Sequence, residues 1–173
     1  ADGKTTVVER KPTRDHTERM LKWLDPDIET SSEKRISING DSVLSARDIN
    51  IPSDISSAAF FIIAAACLNG SDISIPDVGL NPTRTAILNI LRDFGADLQI
   101  SDATETCNES RGSVRVCGGL APTPNSKQNR LSGYIIPNII DEIPTLAVLG
   151  TQIDGGIEIR EAGELRHKES DRI

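Results

Sequence analysis

Asn81-Pro82-Thr83-Arg84-Thr85 has a near copy 70 positions earlier, Lys11-Pro12-Thr13-Arg14, with the same Pro-Thr-Arg core. At that offset Met20 matches Ile90, Leu21 matches Leu91, Leu24 matches Phe94, Asp27 matches Asp97 and Ile28 matches Leu98. Apolar residues kept at these spacings predict the same helix face in both copies. A third copy stands 84 positions after the second, where Ile73, Ile75, Gly79 and Arg84 become Ile157, Ile159, Gly163 and Lys168. Asp54 opens a helix ahead of one copy as Asp141 does ahead of the next. The chain therefore reads as an α/β array of βαβα-type units of about 70 to 90 residues, longer than a common solenoid repeat.

Each unit puts a basic side chain, Arg14, Arg84 or Lys168, where a strand-to-helix loop turns into a helix. Free backbone N–H groups and the helix dipole favour negative charge there, so the repeated position reads as an anion site. The bland alternative is a solvated basic residue in a repeated cap.

Around these anchors the coarse reading is as follows. Thr5 to Val8 is a strand, and Thr13 or Asp15 caps a helix with Met20, Leu21 and Leu24 on its apolar face, ended by Asp25-Pro26-Asp27. Ile28 to Ile51 holds two or three short strands with Asn39-Gly40-Asp41 as a hairpin turn. Ser56 to Leu68 is apolar throughout and reads as an interior helix. The second Pro-Thr-Arg helix runs to about Phe94, with Gly95 as its C-terminal cap. Leu98 to Ile100 and Val114 to Val116 read as strands around a polar loop, Ala103 to Gly112. Gly118 to Ser132 is a polar connection, Thr145 to Leu149 a helix, and Ile157 with Ile159 a strand.

Composition narrows the function. A net charge of −7 argues against general affinity for nucleic acid or acidic membranes, which needs a basic face. Cys67, Cys107 and Cys117 lack metal-ligand spacing, and His16 and His167 are the only histidines, so no metal site is expected. No serine has a histidine placed to activate it, and neither a phosphate-binding P-loop nor a dinucleotide fingerprint is present. No apolar run reaches the roughly 18 residues of a membrane span, and no signal-peptide pattern is seen.

Two constellations could carry chemistry. In Leu165-Arg166-His167-Lys168-Glu169-Ser170-Asp171-Arg172-Ile173, a helix would put Lys168 and Arg172 on one face with Glu169 beside them. That is either a salt-bridged surface helix or a clamp for phosphate or carboxylate. Asp141-Glu142-Ile143-Pro144 sets two carboxylates before an apolar helix, with Asp141 as its N-cap, a place from which a carboxylate can also serve as a base. Asp54-Ile55-Ser56-Ser57 has the same form.

Together these residues resemble the enolpyruvyl transferases. The carriers are Leu165-Arg166-x-Lys168-Glu169-Ser170-Asp171-Arg172, Asn81-Pro82-Thr83-Arg84, Asp54-x-Ser56-Ser57-Ala58, Asp141-Glu142-x-Pro144 and Thr13-Arg14-Asp15-His16-Thr17. The resemblance implies an α/β fold of repeated βαβαββ units (an inverted α/β barrel), here incomplete. Residues 1–52 would end one domain and residues 53–173 begin the other, the second unit being cut short. It implies a reaction in which the enolpyruvyl group of phosphoenolpyruvate moves to the 5-hydroxyl of shikimate 3-phosphate with release of phosphate, without cofactor. The branch acting on UDP-N-acetylglucosamine is the nearest alternative, and a non-catalytic anion-binding module the alternative of another class.

By residue, the resemblance implies that Asp141 holds the shikimate hydroxyls and is the candidate base, that Lys168 lies between the substrates and that Glu169 moves a proton at the methylene carbon. Arg14 would contact shikimate 3-phosphate and Arg172 phosphoenolpyruvate, while Asp54 and Arg84 occupy recurrent positions of less definite contact. His167 departs from the family, which has an apolar residue there. The family's early Lys, its Ser-Ser-Gln loop and its late arginines have no counterpart, so the expectation is an internal piece of a usually monomeric cytoplasmic enzyme (plastidic in a plant), inactive or very weak alone.

Overall fold

Three strand sets, each built on one pattern, follow one another along the chain. The computed structural model describes residues 2–9, 13–25, 29–31, 35–121 and 129–173. The first set is β1 (Lys4–Val8), α1 (His16–Leu24), β2 (Glu29–Ser31) and β3 (Arg35–Asn39), with β3 antiparallel between β1 and β2. The second is α2 (Ile55–Cys67), β4 (Asp72–Gly79), α3 (Ala86–Asp93), β5 (Asp97–Thr106) and β6 (Glu109–Cys117), with β6 antiparallel between β4 and β5. The outer strands of both sheets run parallel and are linked through a helix, while the third strand returns between them.

Ahead of α2, Ser53 bridges in parallel to Val78 of β4, which completes one βαβαββ unit from residue 53 to 117. The third set repeats its opening. There β7 (Arg130–Leu131) pairs in parallel with β8 (Glu158–Ile159) across α4 (Ile136–Ile139) and α5 (Ile143–Gly150). The repeat seen in the sequence is thus a repeat of topology, and the architecture is the mixed α/β expected.

One core joins the second and third sets. Ile62 and Ile63 of α2, Ile87 and Leu91 of α3, Val114 and Val116 of β6 and Leu146 and Leu149 of α5 are essentially inaccessible and belong to one cluster. Alternation along β6 turns Val114 and Val116 inward while Arg115 stays out, paired with Asp72. Helix α3 ends as predicted: Gly95, at φ +88, lets its own N–H reach the Arg92 carbonyl and that of Ala96 reach Leu91. A side chain at Gly95 would also collide with the Ala121 carbonyl.

Several expectations are corrected. The polar stretch 103–112 is not a loop, because β5 and β6 run on through it to a two-residue turn at Cys107-Asn108, both at positive φ. Positive φ at both turn residues suits the twist of a tight hairpin, and Asn is among the residues that tolerate it. At Asn39-Gly40-Asp41 a turn forms but no strand follows; residues 42–52 run without regular structure, held by Ser45 N–H on the Leu24 carbonyl and Trp23 Nε1–H on the Asp48 carbonyl. Helix α2 is not interior all round, since Phe60 and Phe61 are about two-thirds exposed. Lys11-Pro12, Pro26-Asp27-Ile28 and residues 122–128 of the 118–132 connection lie outside the described residues.

Candidate functional site

The two carboxylates of Asp141-Glu142 collect the basic residue of every unit. Arg14 Nη2 donates to Asp141 Oδ2, Lys168 Nζ lies 3.6 Å from Asp141 Oδ1, and Arg84 Nη2 lies 3.9 Å from Glu142 Oε1. Arg172 Nη1 adds a fourth cation 4.0 Å from Asp141 Oδ1. Within its own unit Arg84 also meets Asp54 at 3.1 Å, as Lys168 meets Asp141. The unit's basic residue and its helix-opening aspartate therefore form a repeated pair.

Local structure explains how they meet. The motif at 165–172 does not form the predicted helix: a 3-10 turn covers Gly163–His167 and Lys168 is already extended. Leu165 is buried in the core, and the Arg172 N–H donates back to its carbonyl at 3.2 Å. This closes a loop that brings Lys168 and Arg172 to one carboxylate without helical spacing. Lys168 also pairs with Glu164 at 3.1 Å and Arg172 with Glu169, both through exposed carboxylates. His167 is exposed and Arg166 turns away to Asp171.

Asp141 is not the N-cap of α5. That position belongs to Glu142, whose side chain caps nothing, while the Asp141 carboxylate is committed to cations. Asp54, in contrast, does cap α2, accepting from the Ser57 N–H at 3.0 Å and its hydroxyl at 3.1 Å.

Arg14 is steered by its neighbour. Asp15 receives Arg19 at 2.8 Å and the amide of the buried Asn81 at 2.7 Å, and Asn81 Oδ1 accepts the Thr83 N–H and hydroxyl. Neither Thr13 nor Asp15 caps α1 through its side chain. His16 Nδ1 meets Glu109 Oε1 at 2.6 Å, so the start of α1 is fastened to the second unit around Asn81.

The electrostatics of the pair diverge. Burial works to raise the Asp141 carboxyl, but the Arg14 hydrogen bond and the charges of Arg14, Lys168 and Arg84 outweigh it and hold it below the ordinary range. Burial dominates at Glu142 and pushes it up, in spite of the Ser56 hydroxyl and the Arg84 charge. Glu169, fully exposed, is lowered by its own backbone N–H and by Arg172. Neighbouring carboxyls whose environments push them apart commonly take different roles.

A cavity of about 420 Å³ lies between α1 and the start of α2, walled by Met20, Trp23, Ile51 and Ile55 and edged by Asp54 and Arg84. Arg14, Asp141, Lys168 and Arg172 do not line it, so the charged cluster lies outside this cavity. Among the described residues no group of three or more His, Cys, Asp or Glu could hold a metal ion, and no helix is long and apolar enough to cross a membrane.

Sequence reasoning gave no site role to Glu142, Ser56 or Glu164, although the first two stand in motifs it singled out. The first was within reach: Glu142, Thr145, Leu146 and Leu149 share the spacing of the buried face of α5. Ser56 had no comparable signal, because its carboxylate partner Glu142 comes from the next unit, whereas Glu164 stands four residues before Lys168, a spacing the sequence does carry.

The family model described as EPSP synthase (3-phosphoshikimate 1-carboxyvinyltransferase) matches residues 1–173. The chain is 43% identical over 173 residues to the 3-phosphoshikimate 1-carboxyvinyltransferase of Bacillus licheniformis. It is 45% identical over 173 residues to that of Shouchella clausii. It spans all of its own length but only 39% of each relative. The solved EPSP synthase of Acinetobacter baumannii superposes with a TM-score of 0.86 at 39% identity, over all of this chain and 38% of that one.

Proposed function

We propose, because this chain belongs to the EPSP synthase (3-phosphoshikimate 1-carboxyvinyltransferase) family, that it carries the half of the active site that receives shikimate 3-phosphate. The parent reaction moves the enolpyruvyl group of phosphoenolpyruvate to the 5-hydroxyl of that acceptor, releasing phosphate, in the cytoplasm and without a cofactor. The supporting observation is convergence: Arg14, Lys168 and Arg172 share one carboxylate, Asp141.

Three cations on one acceptor leave donor capacity that a phosphate or carboxylate can use, and both substrates carry both groups. The competing partners of Lys168 and Arg172 are the exposed Glu164 and Glu169, whose surface pairs are cheap to exchange. Arg14 and Lys168 would hold shikimate 3-phosphate and Arg172 phosphoenolpyruvate. Asp141, kept ionised by its cations, accepts hydrogen bonds from ring hydroxyls and takes the proton of the 5-hydroxyl as the new C–O bond forms. Glu169, lowered by its own backbone N–H and by Arg172, would move the proton at the neighbouring carbon. The methylene gains a proton, relayed from solvent through Glu169, as the C–O bond forms, and the resulting methyl returns one to Glu169 as phosphate leaves.

Arg84 and Asp54 play a different part in this reading. Arg84 is nearly buried, donates through Nη2 to Asp54 and Ser56 and lies beside Glu142, so in this reading it holds the helix starts together rather than binding substrate. The break in regular structure over residues 42–52, between the two strand sets, supports a domain boundary near Pro52, with residues 1–52 ending one domain and 53–173 beginning the other.

Titrating isotope-labelled chain with shikimate 3-phosphate tests the reading by NMR. Resonances of Arg14, Asp141 and Lys168 should shift together; a saturating titration that leaves all three in place would overturn it. Phosphoenolpyruvate added second should move Arg172.

A further inference from the structure

We propose that Glu142 is a positioning residue for Asp141: its buried carboxyl ties the start of α5 to Ser56 of α2 and Arg84 before α3, and so fixes where the Asp141 carboxylate points. This rests on the role given to Asp141 above only for its functional consequence.

Glu142 is 1% exposed, among the most enclosed side chains of the chain. Its Oε1 accepts the Ser56 hydroxyl, and Ser56 in turn accepts from Arg84 Nη2. Its backbone is held as firmly: the Glu142 N–H donates to the Ile139 carbonyl at 2.9 Å, and its own carbonyl accepts the Leu146 N–H at 2.9 Å and the Thr145 hydroxyl at 2.7 Å. Both ends of this residue are thus fixed, and Asp141 is its immediate neighbour on the chain. The peptide carrying Asp141 cannot rotate without withdrawing Glu142 from Ser56.

The same geometry explains why a carboxyl rather than an apolar side chain stands there. Glu142 Oε2 and Arg84 Nε are both buried without a hydrogen-bond partner among the described residues, so the contact is not a closed salt bridge. The charged or titratable groups facing it are Arg84 and Asp141, with Asp54 behind Arg84. Leaving a donor or acceptor unmade is costly in a buried place, so the pair is retained for placement rather than for net stability.

The ordinary value of Asp141 lies below that of Glu142, and their environments move them further apart. Where Asp141 titrates, Glu142 is already neutral, so Glu142→Gln is electrostatically silent there. Any change of the Asp141 midpoint on substitution of Glu142 then reports geometry, which makes a ligand-free test possible.

Side-chain carboxyl NMR of the full 173-residue chain carries the test. Glu142→Ala should raise the Asp141 midpoint by about half a pH unit or more as its cations drift off, and Glu142→Gln should restore it. Ser56→Ala, a milder change, should raise it in the same direction and serves if Glu142→Ala does not fold. An unmoved Asp141 midpoint in folded Glu142→Ala, or in Ser56→Ala, overturns the proposal, as does a Glu142→Gln chain that behaves like Glu142→Ala. Calorimetry with shikimate 3-phosphate is the second arm, with Glu142→Ala expected to bind about tenfold more weakly, about 1.4 kcal/mol. A parent chain that ignores this ligand would refute the proposed function and leave the carboxyl titration to decide the positioning role.

Discussion

Arg84 and Lys168 hold the same place in successive units, yet their surroundings have separated them. Arg84 retains only 11% of its side-chain exposure and is wedged among Asp54, Ser56 and Glu142. Lys168 keeps 22%, shares Asp141 with Arg14 and Arg172, and has an exposed glutamate as its other partner. A repeated basic helix start is therefore a general scaffold. In the proposed site, burial makes one copy a fastener, and partial exposure leaves the other able to exchange partners with an incoming anion.

The sharpest test of that contrast is Asp141→Ala in a whole-length family protein carrying this segment. Turnover of phosphoenolpyruvate and shikimate 3-phosphate should fall on the order of 10² to 10⁴-fold, far more than substrate binding. Steady-state kinetics with equal turnover for both proteins would break the assignment.

Next is Arg84→Ala, which strips the buried Glu142 of its cation. Urea unfolding should show a loss of about 3 kcal/mol, the scale of a broken buried pair. Lys168→Ala should cost under about 1 kcal/mol in the same measurement, because its pairs are partly solvated. Equal losses would erase the distinction between fastener and site.

The pH dependence of stability should also split the dipeptide. The depressed Asp141 contributes stability that is present above its ordinary value of 3.8 and is lost as pH falls through the lower folded value. The raised Glu142 has the opposite sign: its contribution is complete below its ordinary 4.5 and is lost as pH rises through the higher folded value. Asp141→Asn should flatten the acid limb and Glu142→Gln the limb above 4.5, read from unfolding midpoints across pH. Identical profiles for the two variants would contradict the divergence.

Much of this was legible in the sequence. The 70-residue offset carried the topology because apolar spacing and turn residues are local properties, and both sheets obey it. The residues of the charged cluster were also nameable, but their mode of meeting was not. Lys168 and Arg172 converge through a loop anchored by Leu165, and the burial of Leu165 depends on the whole core. The role of Arg84 was hidden for the same reason, since three partners from distant positions decide it. The long β5–β6 hairpin was masked by its polar composition, which reflects a projection that leaves the hydrophobic core.

That projection sets the order in which the chain assembles. Helix α1 buries no residue of its own, and its Arg19 is grasped by Asn108 at the hairpin tip, 89 positions along the chain. Contacts so distant are made late because the intervening loop must close first. The 53–117 unit, which holds the buried core of α2 and α3 and the sequence-local β5–β6 hairpin, should therefore form early and serve as the template on which α1 and Arg14 settle. Native-state hydrogen exchange should release the α1 amides well before those of β6; matched protection in the two elements would show instead that they fold as a single cooperative piece.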